Sequence, residues 1–444
     1  MPHAISQTMD RNAIGLLLLA GIIALGCIAA GCTGTEEAAP ADSTPPAGEG
    51  TASPDDVTES ISNVTDGNNR FALDLYRRIS SDPAYAGRNI FFSPYSISSA
   101  LAITYEGARG TTADEIRSVL SLPADDTIRR QGFAALNAGL NRGSGNYTLR
   151  IANALWAEET YRFLPDYIEV AERWYGANVT NLDFVSDTEG SRETINRWVE
   201  EKTEDRIRDL LTPGSIDPIT RLVITNAIYF KGDWVREFNP DETTDEEFRV
   251  SPEKTVTVPM MHRTDEEAIY PYTETDTLQV LEMPYAHGNE TGISMIVLLP
   301  KDENLTALEE ALDADTIAEL RNSLVEQRVR VVFPKFRLET GYTLSQILAD
   351  MGMPAVFSAD ADLSGMDGTD MLFVNEVYHK AFVDVNEEGT EAAAATAVVV
   401  SLKGAPGGDT TPVFRADHPF VFLIVERDNG TILFAGRVVN PVSQ

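Results

Sequence analysis

Apolar residues settle into a helical rhythm near residue 71, where Phe71, Leu75 and Ile79, with Ala72 and Tyr76, share one face. Asn89 to Ser96 reads NIFFSPYS, and its Ser-x-x-Ser pattern caps an apolar helix running to about Tyr105. Thr111 or Thr112 caps another helix reaching Leu120. A strand is predicted over 149–157 and helices over 165–175 and about 191–211, the last burying Ile195, Trp198, Val199, Ile207, Leu210 and Leu211. Leu222 to Phe230 is almost continuously apolar, as in a strand covered on both faces. Beyond it the pattern is mostly β, with strands predicted over 255–262, 278–284, 293–299, 328–338, 372–384, 420–425 and 432–438. Asp428-Asn429-Gly430-Thr431 joins the last two as a tight hairpin turn. Helices gathered early and strands late predict one α+β domain over 63–444.

The N-terminus has a different texture. Arg11 precedes an apolar run from Ala13 to Ala30, followed by Gly31 and Cys32. This is the shape of an export signal over 1–32. The Ala-Gly-Cys ending is similar to the lipobox of prokaryotic lipoproteins, which implies cleavage before Cys32 and lipid on its thiol, although Ala29 stands where a larger aliphatic is usual. Simple secretion and an uncleaved membrane anchor are the alternatives. Residues 33–62 carry acids, Pro, Ser, Thr and Gly, with no Lys or Arg, and read as a disordered acidic tether.

Composition narrows the chemistry. With 43% hydrophobic residues the chain can bury a full core. Its 35 Lys and Arg stand against 69 Asp and Glu, a formal charge of −34, which speaks against nucleic acid as a partner. Both cysteines, Cys27 and Cys32, lie in the leader, so the body has no disulfide and no thiol nucleophile. The five histidines are scattered and no metal or other cofactor is expected. Gly-x-Ser-x-Gly and His-Glu-x-x-His are absent, and the only Ser-x-x-Lys, Ser251 to Lys254, falls in a predicted loop, so an enzyme is not expected.

One stretch fits no single secondary structure. Phe382, Val383 and Val385 alternate as a strand, Glu387-Glu388-Gly389-Thr390-Glu391 follows, and Ala392-Ala393-Ala394-Ala395-Thr396-Ala397 is a run of small residues before three valines. The alanines favour helix, the valines strand, and the Gly- and Pro-rich segment after Lys403 a loop. A segment this small in side chain could lie outside the fold and later slot between strands; an Ala-rich helix with a linker is the other reading.

Four segments together resemble the serpins over about residues 63 to 444: Asn89 to Ile97, Thr225 to Trp234, Val377 through Ala392, and Asp417 to Phe422 with Phe434 to Pro441. The resemblance implies three β-sheets, about nine helices and an exposed reactive-centre loop near 387–415, all in one α+β domain. It implies a monomeric suicide inhibitor of serine proteases, whose loop is cut by the target and inserts as a new strand while the enzyme stays acylated. On a strand Thr390, Ala392, Ala394 and Thr396 would point inward, all small, and Glu391 outward. Extended, Gly389 to Lys403 spans roughly 50 Å.

Counting fourteen residues from the hinge glycine places the recognised residue at Lys403 and the cut at Lys403–Gly404, which suits a trypsin-like pocket. A shift to Leu402 would suit chymotrypsin- or subtilisin-like enzymes instead. The same resemblance puts Ser93, Ser96, Asn226 and His379 at the shutter that holds the central strands closed, Trp234 at the breach where insertion begins, and Glu387 at the hinge base. Read alone, His379 is a satisfied core histidine, Trp234 a core aromatic and Glu387 a solvated charge. A non-inhibitory member acting as a binding protein is the rival within the family.

Overall fold

The computed structural model describes residues 53–140, 147–286, 292–390 and 410–443. All of them belong to a compact unit spanning Ala52–Gln444. Among them are ten α-helices and three sheets of seven, six and four strands.

The first helix runs Pro54–Ser80, opened by a capping box between Ser53 and Asp56. Residues 54–62, expected in the tether, are therefore its first turns. The apolar face foreseen around Phe71, Leu75 and Ile79 is fully buried. The helix Pro94–Gly107 is capped by Ser93, whose side chain accepts from the Ser96 amide, and it is buried on nearly every face. Thr112 does not cap the helix Gly110–Val119; its hydroxyl instead accepts from the Asp362 amide inside the fold.

Two further expectations need correction. The helix predicted over 191–211 spans Thr188–Lys202. It ends because Glu204, Asp205 and Asp209 take positive φ angles, at 53°, 60° and 48°. Ile207 and Leu211 still reach the core from irregular chain, which is why the apolar pattern ran on past the helix. The strand predicted over 328–338 is three strands: Val325–Arg328, Arg330–Pro334 and Phe336–Thr343 lie in three different sheets. The helix Asp126–Leu140 and the strand Thr244–Ser251 were not anticipated.

The six-stranded central sheet has the order Phe336–Thr343, Glu376–Val385, Gly389–Thr390, Leu222–Asp233, Tyr147–Glu158, Asn178–Leu182. The pairing changes at its middle. Glu376–Val385 and Leu222–Asp233 pair directly and in parallel from Glu376 opposite Val223 to Phe382 opposite Tyr229. Beyond that seam they part, and Gly389–Thr390 enters between them, antiparallel to both. Val413–Arg415 lies in the four-stranded sheet, parallel to Arg330–Pro334.

Candidate functional site

The seam between the two parallel strands is closed by polar side chains in an otherwise apolar interior. His379 and Asn226 are register partners across it. The Ser93 amide donates to His379 Nε2 at 3.0 Å, so the imidazole proton sits on Nδ1 and is given to Asn226 Oδ1. The Asn226 amide donates to Ser96 Oγ and to Asn153 Oδ1. Ser93 Oγ in turn donates to the Leu433 carbonyl at 2.6 Å. Ser93, Ser96, Asn226 and His379 are all fully buried. Burial pushes the His379 pKa down to about 3, so the ring is neutral near pH 7. Asn153 completes the network but was not singled out in the sequence; an asparagine in the middle of the apolar strand Tyr147–Glu158 was the available signal.

Where the seam opens, residues 386–390 are fastened on several sides. Glu387 is 8% exposed. It accepts from Lys335 Nζ at 2.7 Å and from Thr243 Oγ1 at 2.8 Å. Burial alone would raise its pKa, but the hydrogen bonds from Lys335 and Thr243 outweigh that and hold it low. Trp234 donates its indole N–H to the Asn386 carbonyl at 3.0 Å, and its amide to the Glu388 carbonyl at 2.7 Å. Gly389 lies against Gly232, and a Cβ there would sit 2.0 Å from the Gly232 carbonyl oxygen. Only glycine permits that approach. Thr390 is fully buried, and its hydroxyl meets the Tyr285 hydroxyl at 2.7 Å.

The structure thus brings Glu387, Glu388, Gly389, Thr390 and Trp234 together at one end of the seam. Gly389 and Thr390, expected in the reactive-centre loop, already lie inside the sheet. Lys335, Thr243 and Tyr285 were missed. Lys335 alone left a trace, as a charge interrupting the apolar run Val331 to Phe336. Glu391, Ala392, Ala393, Ala394, Ala395, Thr396, Lys403, Gly404 and Cys32 lie outside the described residues.

The far anchor is ionic. Arg415 pairs with Glu246 and with Asp417, and His262 lies 2.6 Å from Glu246. This ties Val413–Arg415 to the outer strand Thr244–Ser251 across the four-stranded sheet. Ser251 and Lys254 face each other across the turn of an ordinary hairpin.

Residues 66–441 match the family Serpin (serine protease inhibitor). An uncharacterised serpin-like protein of Thermococcus kodakarensis is 43% identical over 375 residues, 84% of each chain. Human leukocyte elastase inhibitor is 41% identical over 387 residues, covering 85% of this chain and 99% of its own. Among solved structures, human thyroxine-binding globulin complexed with thyroxine is 30% identical with a TM-score of 0.77, covering 86% of this chain and 100% of its own. A family match over most of the chain and relatives this similar place the protein in the serpin family.

Proposed function

We propose that this chain is a suicide-substrate inhibitor of trypsin-like serine proteases, cut between Lys403 and Gly404. The observation that carries the reading is the seam itself. It is open only as far as Thr390 and closed below by paired strands and a buried polar cluster. A closed sheet with the start of a further strand already between its middle members is poised to accept more of that strand.

The chemistry belongs to the protease. Its serine Oγ attacks the Lys403 carbonyl, the bond to Gly404 breaks, and the proton passes to the new amino terminus. An ester then joins Lys403 to the enzyme. While the loop stays free, water hydrolyses that ester and the inhibitor is spent. If Glu391 onward follows Thr390 into the seam first, the enzyme is dragged along the sheet and held as the ester. The small residues Ala392, Ala394 and Thr396 meet the steric demand of that path. Shutter residues Ser93, Ser96, Asn153, Asn226 and His379 govern how readily the path opens.

Incubation with trypsin tests this directly. An adduct stable to SDS should form, with release of a C-terminal peptide beginning at Gly404. Thr390→Arg should be cut at the same bond without forming the adduct, because its charge would have to enter the buried slot. Complete turnover of the wild-type protein without adduct would contradict the proposal. An adduct with a chymotrypsin- or subtilisin-like enzyme in place of trypsin, releasing a peptide that begins at Lys403, would move the recognised residue to Leu402; the likeness to leukocyte elastase inhibitor likewise favours a target that is not trypsin-like. The likeness to thyroxine-binding globulin favours the alternative of a binding protein, which would give no adduct with any protease.

The acidic segment before Ser53 and the small-small-Cys ending of the leader support a second element of the reading. The inhibitor is exported and held at a membrane surface through lipid on Cys32, acting as a monomer. No helix among the described residues is long and apolar enough to cross a membrane. Loss of membrane association in Cys32→Ser is the expected result.

A further inference from the structure

Tyr285 stands directly after Leu278–Pro284, a strand of the seven-stranded sheet, yet its side chain serves the central one. Its backbone is clamped there: Trp234 and Tyr285 form an antiparallel bridge, and the Ala286 amide donates to the Asp233 carbonyl at 2.7 Å. The ring stacks on Trp234 with centroids 4.3 Å apart and planes 16° from parallel. Phe230 meets it edge-on at 4.8 Å. These contacts aim the hydroxyl at Thr390 Oγ1, 2.7 Å away, between the parted strands.

We infer that Tyr285 is the positioning residue that sets the register in which the hinge enters the sheet, by pairing its buried hydroxyl with that of Thr390. The inference rests on the inhibitory reading above. Along a strand successive side chains alternate faces, so a slip of one residue changes everything the pocket sees. A slip in one direction would present Gly389, leaving the Tyr285 hydroxyl buried without a partner. A slip in the other would present the Glu391 carboxylate to Trp234 and Phe230. Both are penalised, the first as an orphaned polar group and the second as an unpaired charge in apolar surroundings. Thr390 alone satisfies the pocket. Burial raises the Tyr285 pKa, against the smaller opposing effect of Thr390, so the hydroxyl keeps its proton at every working pH. Correct docking of Thr390 starts the strand from which later residues follow, which makes Tyr285 a determinant of how the acylated inhibitor partitions between trapping and turnover.

Four variants test this with trypsin: Tyr285→Phe, Thr390→Val, the double variant, and Thr390→Ser. The readouts are the stoichiometry of inhibition and the Trp234 emission, with thermal melts as a check on folding. Tyr285→Phe keeps the ring stack and strands the Thr390 hydroxyl; Thr390→Val strands that of Tyr285. Each should raise the stoichiometry several-fold and shift the emission as the hinge leaves the indole. The double variant leaves neither hydroxyl unpaired, so it should lie closer to wild type than either single change. Thr390→Ser should match wild type. Unchanged stoichiometry in Tyr285→Phe would overturn the inference, and so would a double variant no better than the worse single. A melt lowered without any shift in partition would overturn it too, by marking the bond as merely structural. Failure of the wild-type protein to form an adduct would be a separate outcome, one that removes the inhibitory reading and this inference together.

Discussion

His379 and Asn226 sit opposite each other on two neighbouring parallel strands, and their side chains are hydrogen-bonded across the line along which those strands would separate to admit another. Every polar atom of the Asn226 side chain is used: its oxygen accepts from His379 Nδ1, and its amide donates to Ser96 and Asn153. Inserting a strand here would require breaking a network whose members are all buried. On the inhibitory reading the cluster is therefore a barrier to opening as well as a source of stability.

Removing Asn226 should show both effects. Asn226→Ala strands His379 Nδ1 and leaves Ser96 and Asn153 short of a donor, a loss on the order of 2–4 kcal/mol. Chemical denaturation should register that loss, and size-exclusion chromatography after mild warming should show more association than wild type. A midpoint unchanged from wild type would remove Asn226 from the network.

The buried neutral ring of His379 predicts how stability varies with pH. Its folded pKa is lowered to about 3, from an ordinary value near 6.5. The unfolded chain therefore binds a proton in that window while the folded one does not. Stability is complete above about pH 6.5 and declines as pH falls, at ~1.4 kcal/mol per pH unit from this residue. Glu387, whose carboxyl is held low once its hydrogen bonds outweigh burial, adds to the loss only as pH drops below the usual carboxylate range. Denaturation midpoints measured from pH 7 to 5 should fall for wild type and flatten in His379→Gln. A slope that survives the substitution would assign it elsewhere.

Lys335 and Glu387 hold the base of the hinge. The ammonium is 37% exposed and screened by solvent, while the carboxylate it serves is 10% exposed. Lys335→Ala should cost about 1–2 kcal/mol, because it strands a largely buried charge. The Glu387 pKa should rise, and the hinge should be cut faster by proteases that do not attack wild type there. Limited proteolysis with mass mapping would show it; an identical digestion pattern would place the pair outside the control of the hinge.

Much of this could be read from the chain before the structure, and the parts that could not have physical causes. The strand Leu222–Asp233 announced itself because both its faces are covered, and the helix Pro165–Tyr175 because Pro165 starts it and Gly176 ends it with φ 63°. The serpin-like segments placed His379, Asn226, Ser93 and Ser96 in one cluster, and they meet. The overlong helix after Ser191 was misread because burial, which a pattern records, continued after helical hydrogen bonding stopped. Glu204 and Asp205 mark the turn: both take the left-handed conformation that glycine adopts most easily. Tyr285 and Lys335 stayed hidden because their partners lie 105 and 52 residues away, and no local rhythm reports such contacts.

The central claim is that the intact fold is held short of its most stable arrangement, with room in the sheet for a strand that it has barely begun to insert. The most direct measurement is the melting temperature of the protein before and after a single cut at Lys403–Gly404. The cleaved form should melt far above the intact one, because the freed segment completes the sheet between Glu376–Val385 and Leu222–Asp233. A cleaved form that melts at the same temperature, or lower, would contradict the account.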